Sequence, residues 1–389
     1  MDLERIQVDP LYENYLDMES FANMLQSPSQ SYKFYWLEAI LTLLPERDTL
    51  SFREIIDEMI WEAWYTVTQY HLHLGPPREG RSENYIEHAI HLLAEDAGTR
   101  LSMNRERLRQ LLTQHRREID RDYQGLITNV PYRLLSSFLK EIGGKDRIWN
   151  QKKKLIDYCT EYNKKTALPY TFDDGQGLQR RIILHPAWKQ VMLDNYAVIR
   201  SWIQMKKVRF LQDRNPGVPG IIYKLETEED RQRQLARVKT LWLCYGETLH
   251  APIIDIYSGT SLAQKSLSID HFIPWSFISN DEIWNLTPMD RAENSSKGNR
   301  LPDWNRFFPA LAENQYRLYR GIQDSDVLHE QFDKCRNTNL NAVWAAEQLY
   351  IPGHTRTRFG RILEHHLKPL YETARLQGFS TWQFDERVT

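Results

Sequence analysis

An aspartate and a histidine, Asp270 and His271, stand side by side in the apolar stretch IDHFIPWSF. Further along the chain, Asn285, Asn294 and Lys297 contribute two amides and an ammonium group. A buried strand is normally rich in Val, Ile and Leu, so two polar groups at this point need a reason. Together, a carboxylate, an imidazole, an amide and an ammonium group suit the hydrolysis of a phosphodiester.

Each of these groups has a role that it could take in such a reaction. Mg²⁺ or Mn²⁺ prefers oxygen ligands, and Asp270 and the amide oxygen of Asn294 could supply the protein's share. A neutral imidazole at His271 could take the proton from an attacking water. The metal would stabilise the charge that develops on the phosphate. Lys297 could hold a phosphate as a point charge.

A strand, a loop and a helix must bring these side chains together. Asp270 and His271 end a short run with strand character, and the stretch DRAENSSKGN predicts a short helix with Asp290 as its N-cap. Asn294 and Lys297 then share one face of this helix. Adjacent residues of a regular strand point to opposite faces, so the backbone must bend for Asp270 and His271 to act together.

The spacing of these residues resembles the motif of the HNH endonucleases, which have the ββα-metal fold. It is especially similar to the HNH domain of the RNA-guided CRISPR effector nucleases. The resemblance covers about residues 252–305 and includes YSGTSL, which is similar to the turn that opens many HNH motifs. It implies that His271 is the general base and that Asn285 is mainly architectural. It also implies that Asp270 and Asn294 bind the metal, so the candidate catalytic residues are His271, Asn285 and Asn294.

The sequence departs from the resembling proteins in two respects. It has no second nuclease motif and no arginine-rich bridge helix, so we do not expect a CRISPR effector. Its three cysteines, Cys159, Cys244 and Cys335, form no CxxC pair, so we expect no zinc and no disulfide framework.

In the alternative interpretation, His271 is an ordinary strand histidine and the asparagines are turn residues. That interpretation does not explain the joint spacing.

Hydrophobic periodicity predicts a mainly α protein with a small α+β unit, in which a ββα-metal (HNH) nuclease motif is embedded between helical regions. Ser51 and Glu54 form a capping-box pattern before apolar residues at helical spacing, and Asp174-Gly175 predicts a hairpin turn. The stretch RNPGVPGII predicts a domain boundary. The predicted segments are a helical N-terminal domain (1–165), a hairpin with a long helix and a linker (166–225), the HNH nuclease domain (226–310) and a C-terminal helical region (311–389). Further helices are predicted over 82–97, 103–122, 131–142 and 150–164, from Pro186 to about 213, and over 227–244, with Gly98 and Gly143-Gly144 as stops.

Basic residues near the motif and in the C-terminal region could contact a nucleic-acid backbone. The formal net charge is −2, so any such binding must use local patches. The stretch TRTRFGR places three arginines around an aromatic residue, and another arginine follows the predicted helix of the motif. The predicted phosphate contacts are Lys297, Arg300, Arg356, Arg358 and Arg361.

These features together predict a metal-dependent HNH endonuclease that hydrolyses DNA, in a role typical of bacterial restriction or antiphage defence. Two alternatives stay open: a nuclease effector subunit that a partner activates, and a catalytically silent nucleic-acid-binding protein of the same fold. A single HNH site cuts one strand per event, so we expect either a homodimer or a monomer that accumulates nicked circles first. The expected partners are DNA and either a second copy of the chain or a protein subunit of a defence complex. The start MDLERIQVDP is acidic and polar, and no apolar run has the length of a membrane span. We therefore expect a cytoplasmic protein without a secretory leader or a membrane partner.

Overall fold

The chain forms two units that are both mainly helical. The structure is a computed structural model and describes residues 6, 8–12, 15–76, 83–97, 103–143, 147–225 and 234–384. The units are Met1–Pro216 and Gly217–Thr389, with a three-stranded sheet in the first and a two-stranded sheet in the second. The predicted fold class, mainly α with a small α+β unit, is confirmed. The break between the units lies inside RNPGVPGII, while the four predicted segments stay a prediction. Among the described residues, no helix has the length and apolar character needed to cross a membrane.

The first unit consists of helices around a small antiparallel sheet. In chain order its elements are α1 (Met18–Asn23), α2 (Tyr32–Leu43), β1 (Thr49–Ser51), α3 (Phe52–Thr68), α4 (Tyr85–Ala97), α5 (Arg105–Gln114), α6 (Asp120–Ile127), α7 (Val130–Arg133), α8 (Lys152–Asn163), β2 (Tyr170–Phe172), β3 (Arg181–Leu184), α9 (Pro186–Asp194) and α10 (Tyr196–Arg214).

The predicted capping box opens α3. The Ser51 hydroxyl accepts a hydrogen bond from the Glu54 backbone N–H at 3.2 Å, and the Glu54 carboxylate accepts one from the Ser51 N–H at 2.8 Å. These two bonds satisfy backbone donors that the first turn of a helix leaves unpaired. Behind the cap, Ile56 and Trp64 lie in the core, so the prediction of an amphipathic helix here is confirmed.

The predicted hairpin is confirmed as β2 and β3. Both β1 and β2 pair with β3 in antiparallel fashion, which gives the strand order β1-β3-β2. Asp173 closes the turn, because its side chain accepts hydrogen bonds from the backbone N–H groups of Gly175 and Arg181 at 3.0 and 2.8 Å. The Asp174-Gly175 pair thus predicted the position of the turn, and the preceding aspartate supplies the bonds.

Two long predicted helices are wrong, because each is broken by a short connection. The helix predicted over 103–122 is two helices, since α5 ends at Gln114 and α6 begins at Asp120. The helix predicted from Pro186 to about 213 breaks at Asn195, whose side-chain amide and backbone N–H both donate to the Val191 carbonyl. A local side-chain bond of this kind competes with continuation of the helix.

The remaining predicted helices overlap with those of the structure. The range 82–97 contains α4, 150–164 contains α8, and 227–244 overlaps with α12 (Leu235–Leu249). The helix predicted over 131–142 is shorter, because α7 continues as a 3₁₀ helix over Leu134–Ser137. Residue 82, residues 227–233 and the predicted stops Gly98 and Gly144 lie outside the described residues.

The second unit places a two-stranded sheet among helices. In chain order its elements are α11 (Ile221–Lys224), α12, β4 (Leu267–His271), α13 (Trp275–Ile278), β5 (Leu286–Asp290), α14 (Arg291–Lys297), α15 (Trp304–Asp324), α16 (Asp326–Asn339) and α17 (Arg356–Leu376). The antiparallel strands β4 and β5, with α14 packed on both, form a ββα unit.

A buried lysine ties the start of this unit to the loop after β4. Lys224 is 2% exposed, and its ammonium group donates to the Phe277 carbonyl at 2.7 Å and to the Ser279 hydroxyl. Ser279 ends α13 in the left-handed region, with a φ of 57°. Burial lowers the pKa of Lys224 to about 7.

We predict that this lysine makes the protein more stable as the pH is raised from about 7 toward 10. The unfolded chain holds the proton up to a pKa of about 10.4, whereas the folded protein releases it at about pH 7. The unfolded state therefore binds more protons in this window, and the free energy of unfolding rises with pH. Below the window both states are protonated, so the cost of the buried charge no longer changes with pH.

Urea unfolding across this pH range measures the effect. Lys224→Met should flatten part of the rise, while Lys265→Met, at an exposed lysine of the same unit, should keep the wild-type slope. Equal slopes in the wild type and in Lys224→Met would contradict the prediction.

Candidate active site

The strand β4 carries Asp270 and His271 into the interior of the ββα unit. The Cα atom of Asp270 pairs with that of Thr287 across the ladder, and His271 pairs with Leu286. The strand therefore stays regular through both residues, and the chain bends directly after His271, at Phe272 and Ile273. The two side chains have different neighbours, as a regular strand requires. Both residues are buried, at 4% and 6% exposure.

Two donors hold the carboxylate of Asp270. Lys297 Nζ lies 3.0 Å from Oδ1, and the Tyr257 hydroxyl donates to Oδ2 at 2.8 Å. The Lys297 ammonium also donates to the His271 carbonyl at 2.7 Å. Burial raises the pKa of Tyr257, and the neighbouring Asp270 charge raises it further, so the hydroxyl stays a neutral donor. Burial lowers the pKa of Lys297, while the Asp270 carboxylate opposes that shift.

The position of Lys297 does not fit the predicted phosphate contact. The side chain is fully buried, because it points from α14 inward to the strand rather than outward to solvent. A phosphate could reach this ammonium group only after the ion pair with Asp270 had opened. The helix was predicted correctly, with Asp290 as its N-cap, but the face that Lys297 occupies is the packed one.

Asn294 joins α14 to β4 through its amide nitrogen. Nδ2 donates to the Ser268 hydroxyl at 3.1 Å and to the Ile269 carbonyl at 3.2 Å. The amide oxygen Oδ1 has no hydrogen-bond partner among the described residues. Since the nitrogen is fixed to the strand that carries Asp270, the oxygen is the atom left to bind a ligand.

The oxygen atoms of Asp270 and Asn294 fit a hard divalent cation. Mg²⁺ typically takes one or two protein oxygens and completes its coordination with water and phosphate. Each carboxylate oxygen of Asp270 accepts one hydrogen bond and keeps further acceptor capacity. The described residues contain no group of three or more His, Cys, Asp or Glu side chains that could hold a metal ion. Asp270 and Asn294 would supply two protein oxygens, which is within the share that Mg²⁺ usually takes from a protein.

Asn285 acts on the backbone of the loop that follows β4. Its side chain accepts from the Ile273 N–H at 2.8 Å and donates to the Ile273 carbonyl at 2.9 Å. Its own carbonyl accepts from the Phe272 N–H at 2.8 Å. The residue is fully buried. These contacts agree with the architectural role that the resemblance implies, and the place of Asn285 among the catalytic residues stays a prediction.

His271 is paired with an aspartate that the sequence did not single out. Its Nε2 lies 2.8 Å from Oδ1 of Asp281, and both side chains are 7% exposed. Asp281 lies in the loop between α13 and β5, where no periodicity predicts which way a side chain points. The only sequence signal for this contact was an acidic residue in the short loop that leads to β5.

The turn that opens the motif is closed by another buried aspartate. Asp255 accepts hydrogen bonds from the backbone N–H groups of Tyr257 and Asp290 at 2.8 and 2.7 Å. Burial raises the pKa of Asp255, against the effect of these N–H donors. Burial and the charge of Asp255 raise the pKa of Glu293 to about 7. Asp255 therefore ties the opening turn to the N-terminus of α14.

The four arginines predicted to contact phosphate lie in two places. Arg300 folds back on α14, where its guanidinium donates to the carbonyls of Lys297 and Ser296. Arg356 pairs with Glu313 of α15. Arg358 and Arg361 are exposed on α17, and neither has an ion pair among the described residues. Their role in phosphate binding stays a prediction.

Comparison with known protein families gives a match within this unit. Residues 255–303 match the family model of the HNH endonucleases. The match begins at Asp255 and contains Asp270, His271, Asn285 and Asn294. No curated protein and no solved structure matches the chain. The resemblance to the HNH endonucleases is confirmed, and it supports a nuclease, while the closer similarity to CRISPR effectors stays a prediction.

We predict that Asn285→Ala lowers the free energy of unfolding by about 2–4 kcal/mol, because it leaves the buried N–H and carbonyl of Ile273 without partners. Thermal and urea unfolding measure the loss. Asn280→Ala, at an exposed asparagine of the same loop, is the matched control and should unfold like the wild type. A wild-type unfolding curve for Asn285→Ala would contradict the architectural role.

We also predict that Lys297→Met lowers the free energy of unfolding by about 3–5 kcal/mol, because it leaves the Asp270 charge buried without its partner. High salt should change this loss little, since buried pairs are screened much less than exposed ones. Urea unfolding at low and high salt tests this, with Lys265→Met as the exposed control. A stable Lys297→Met protein with a salt-dependent loss of substrate binding would instead restore the phosphate contact.

Proposed function

We propose that the protein is an endonuclease that hydrolyses the phosphodiester bonds of DNA with the help of Mg²⁺ or Mn²⁺. The observation that carries the proposal is the packing of α14 on β4. It sets the amide oxygen of Asn294 beside the strand that ends in Asp270 and His271. The match of residues 255–303 to the HNH endonuclease family model adds independent support.

In the proposed mechanism His271 is the general base. Its Nε2 is engaged by Asp281, so Nδ1 is the nitrogen left to take a proton from the attacking water. Asp270 and Asn294 would hold the cation through oxygen atoms, and Tyr257 keeps the carboxylate oriented. When bound, the cation supplies charge stabilisation for the phosphate and the leaving oxygen.

A second candidate is a nuclease that becomes active only after a partner binds, as in a bacterial defence complex. The burial of Asp270 and His271 supports it, because water and a phosphate must reach both residues before the reaction. A homodimer would also fit the proposed endonuclease, because it would bring two active sites, each of which cuts one strand, to one duplex.

The test compares the wild type with His271→Gln on supercoiled plasmid DNA and on RNA, with Mg²⁺, with Mn²⁺ and with a chelator. We expect nicked circles from the wild type with metal. Glutamine can still donate to Asp281 but cannot accept the proton, so cleavage should fall by about 10²- to 10⁴-fold. His365→Gln, at an exposed histidine of α17, should cut at the wild-type rate.

Melting temperatures show whether a variant that loses cleavage is still folded. A folded His271→Gln protein that cuts like the wild type would refute the assignment of the base. A wild type that cuts neither DNA nor RNA alone, yet cuts after addition of a partner, would favour the gated nuclease. RNA cleavage without DNA cleavage would refute the proposed substrate.

A further inference from the structure

The loop between α13 and β5 holds the imidazole of His271 from one side. Asp281 Oδ1 lies 2.8 Å from His271 Nε2, in a region where both side chains are almost fully buried. The second carboxylate oxygen of Asp281 accepts a hydrogen bond from the Gln234 backbone N–H at the start of α12. Each oxygen of this carboxylate therefore has its own partner.

We propose that Asp281 is a positioning residue that fixes both the orientation and the tautomer of His271. The inference rests on the proposed function, because it concerns the base of that reaction. A carboxylate only accepts hydrogen bonds, so the imidazole nitrogen facing it must carry a proton. A neutral imidazole has one N–H group, and placing it at Nε2 leaves the lone pair on Nδ1. Nδ1 is then the atom that accepts a proton from water.

Asp281 is itself fixed by groups from outside the family match. Asn339, at the end of α16, donates from Nδ2 to the Asp281 carbonyl at 2.7 Å and to the Gln234 carbonyl at 2.9 Å. Asn339 is fully buried. One amide thus joins the start of α12, the end of α16 and the loop that carries the aspartate.

The residue after Asp281 is anchored in the same way. The Glu282 carboxylate accepts from the Asn341 backbone N–H at 2.9 Å and from the Trp284 indole N–H at 3.0 Å. Asp281 and Glu282 are therefore both held in place by hydrogen bonds to other residues of the unit. A base held in this way needs no further ordering when substrate arrives, which is how preorganised groups contribute to rate.

The substitution Asp281→Asn gives a sharp test, because the Gln234 N–H favours one orientation of the new amide. The Gln234 N–H needs an acceptor, so the amide oxygen takes the place of Oδ2. The NH₂ group then faces His271 Nε2 and donates to it. Nε2 must become the acceptor, and the proton moves to Nδ1, where it blocks the base.

The tautomer can be measured without any activity. We would label the full-length protein with ¹³C,¹⁵N-histidine and assign the His271 signals by their loss in His271→Gln. At a pH where the ring gives the neutral-imidazole spectrum, the wild type should show a protonated Nε2 and an unprotonated Nδ1. Asp281→Asn should show the reverse. A wild type with the proton on Nδ1 would overturn the proposal whether or not any variant folds.

Cleavage kinetics give the second readout. With the inverted tautomer, kcat should fall by about 10²- to 10⁴-fold while KM stays close to the wild-type value. The matched control is Asp333→Asn, which alters an exposed aspartate–histidine pair with His329 on α16 and should cut like the wild type. An inverted tautomer with wild-type kcat would overturn the positioning role, and so would an unchanged tautomer with wild-type kcat.

The two proposals can fail separately. If the wild type cleaves no phosphodiester substrate, the proposed function fails and the spectra alone decide the inference. Inversion of the tautomer in Asp281→Asn then supports the positioning of His271, and retention of the Nε2 proton overturns it.

Discussion

The buried ion pair between Lys297 and Asp270 is the interaction on which the architecture of the site depends. Removing two charges from water is costly, and the cost is offset only when every group finds partners. Lys297 bonds to Asp270 and to the His271 carbonyl, and Tyr257 bonds to the other oxygen of Asp270. These bonds join α14, β4 and the opening turn. The motif has no cysteine pairs that could bind zinc, and these bonds connect its three parts.

The motif is also held in place by the helices around it. Its loop is held by Gln315 of α15, which donates to the carbonyls of Ile283 and Leu286 at 3.0 and 2.7 Å, and by Asn339 at the end of α16. Polar groups that are buried must be satisfied, so the loss of either helix would leave several backbone groups unpaired. The family match covers residues 255–303, but the physical unit that stabilises it is larger and includes α12, α15 and α16.

Residue type and spacing predicted the part of the site that depends on local structure. The strand at Asp270, the cap at Asp290 and the helix that follows are local features, and the structure has all of them. Spacing placed Asn294 and Lys297 on one face of α14, but it does not reveal whether that face is packed or exposed. Asp281 could not be predicted, because its contact with His271 depends on a loop conformation fixed by Asn339. The break at Asn195 was missed for the related reason that one side-chain bond overrode helical periodicity.

The interactions that build this site also restrict access to it. In the proposed reaction a phosphate and a water would have to approach His271, which is almost completely buried, and a cation would have to share Asp270 with the Lys297 ammonium. Opening the site separates charges that stabilise each other, so it is unfavourable in the free protein. A ligand shifts such an equilibrium only by its difference in affinity for the open and closed states. In the proposed reaction the cation would provide that difference, because it would bind the Asp270 carboxylate that the closed state pairs with Lys297. The stability of the resting site and the cost of opening it thus have one origin in the Lys297–Asp270 pair.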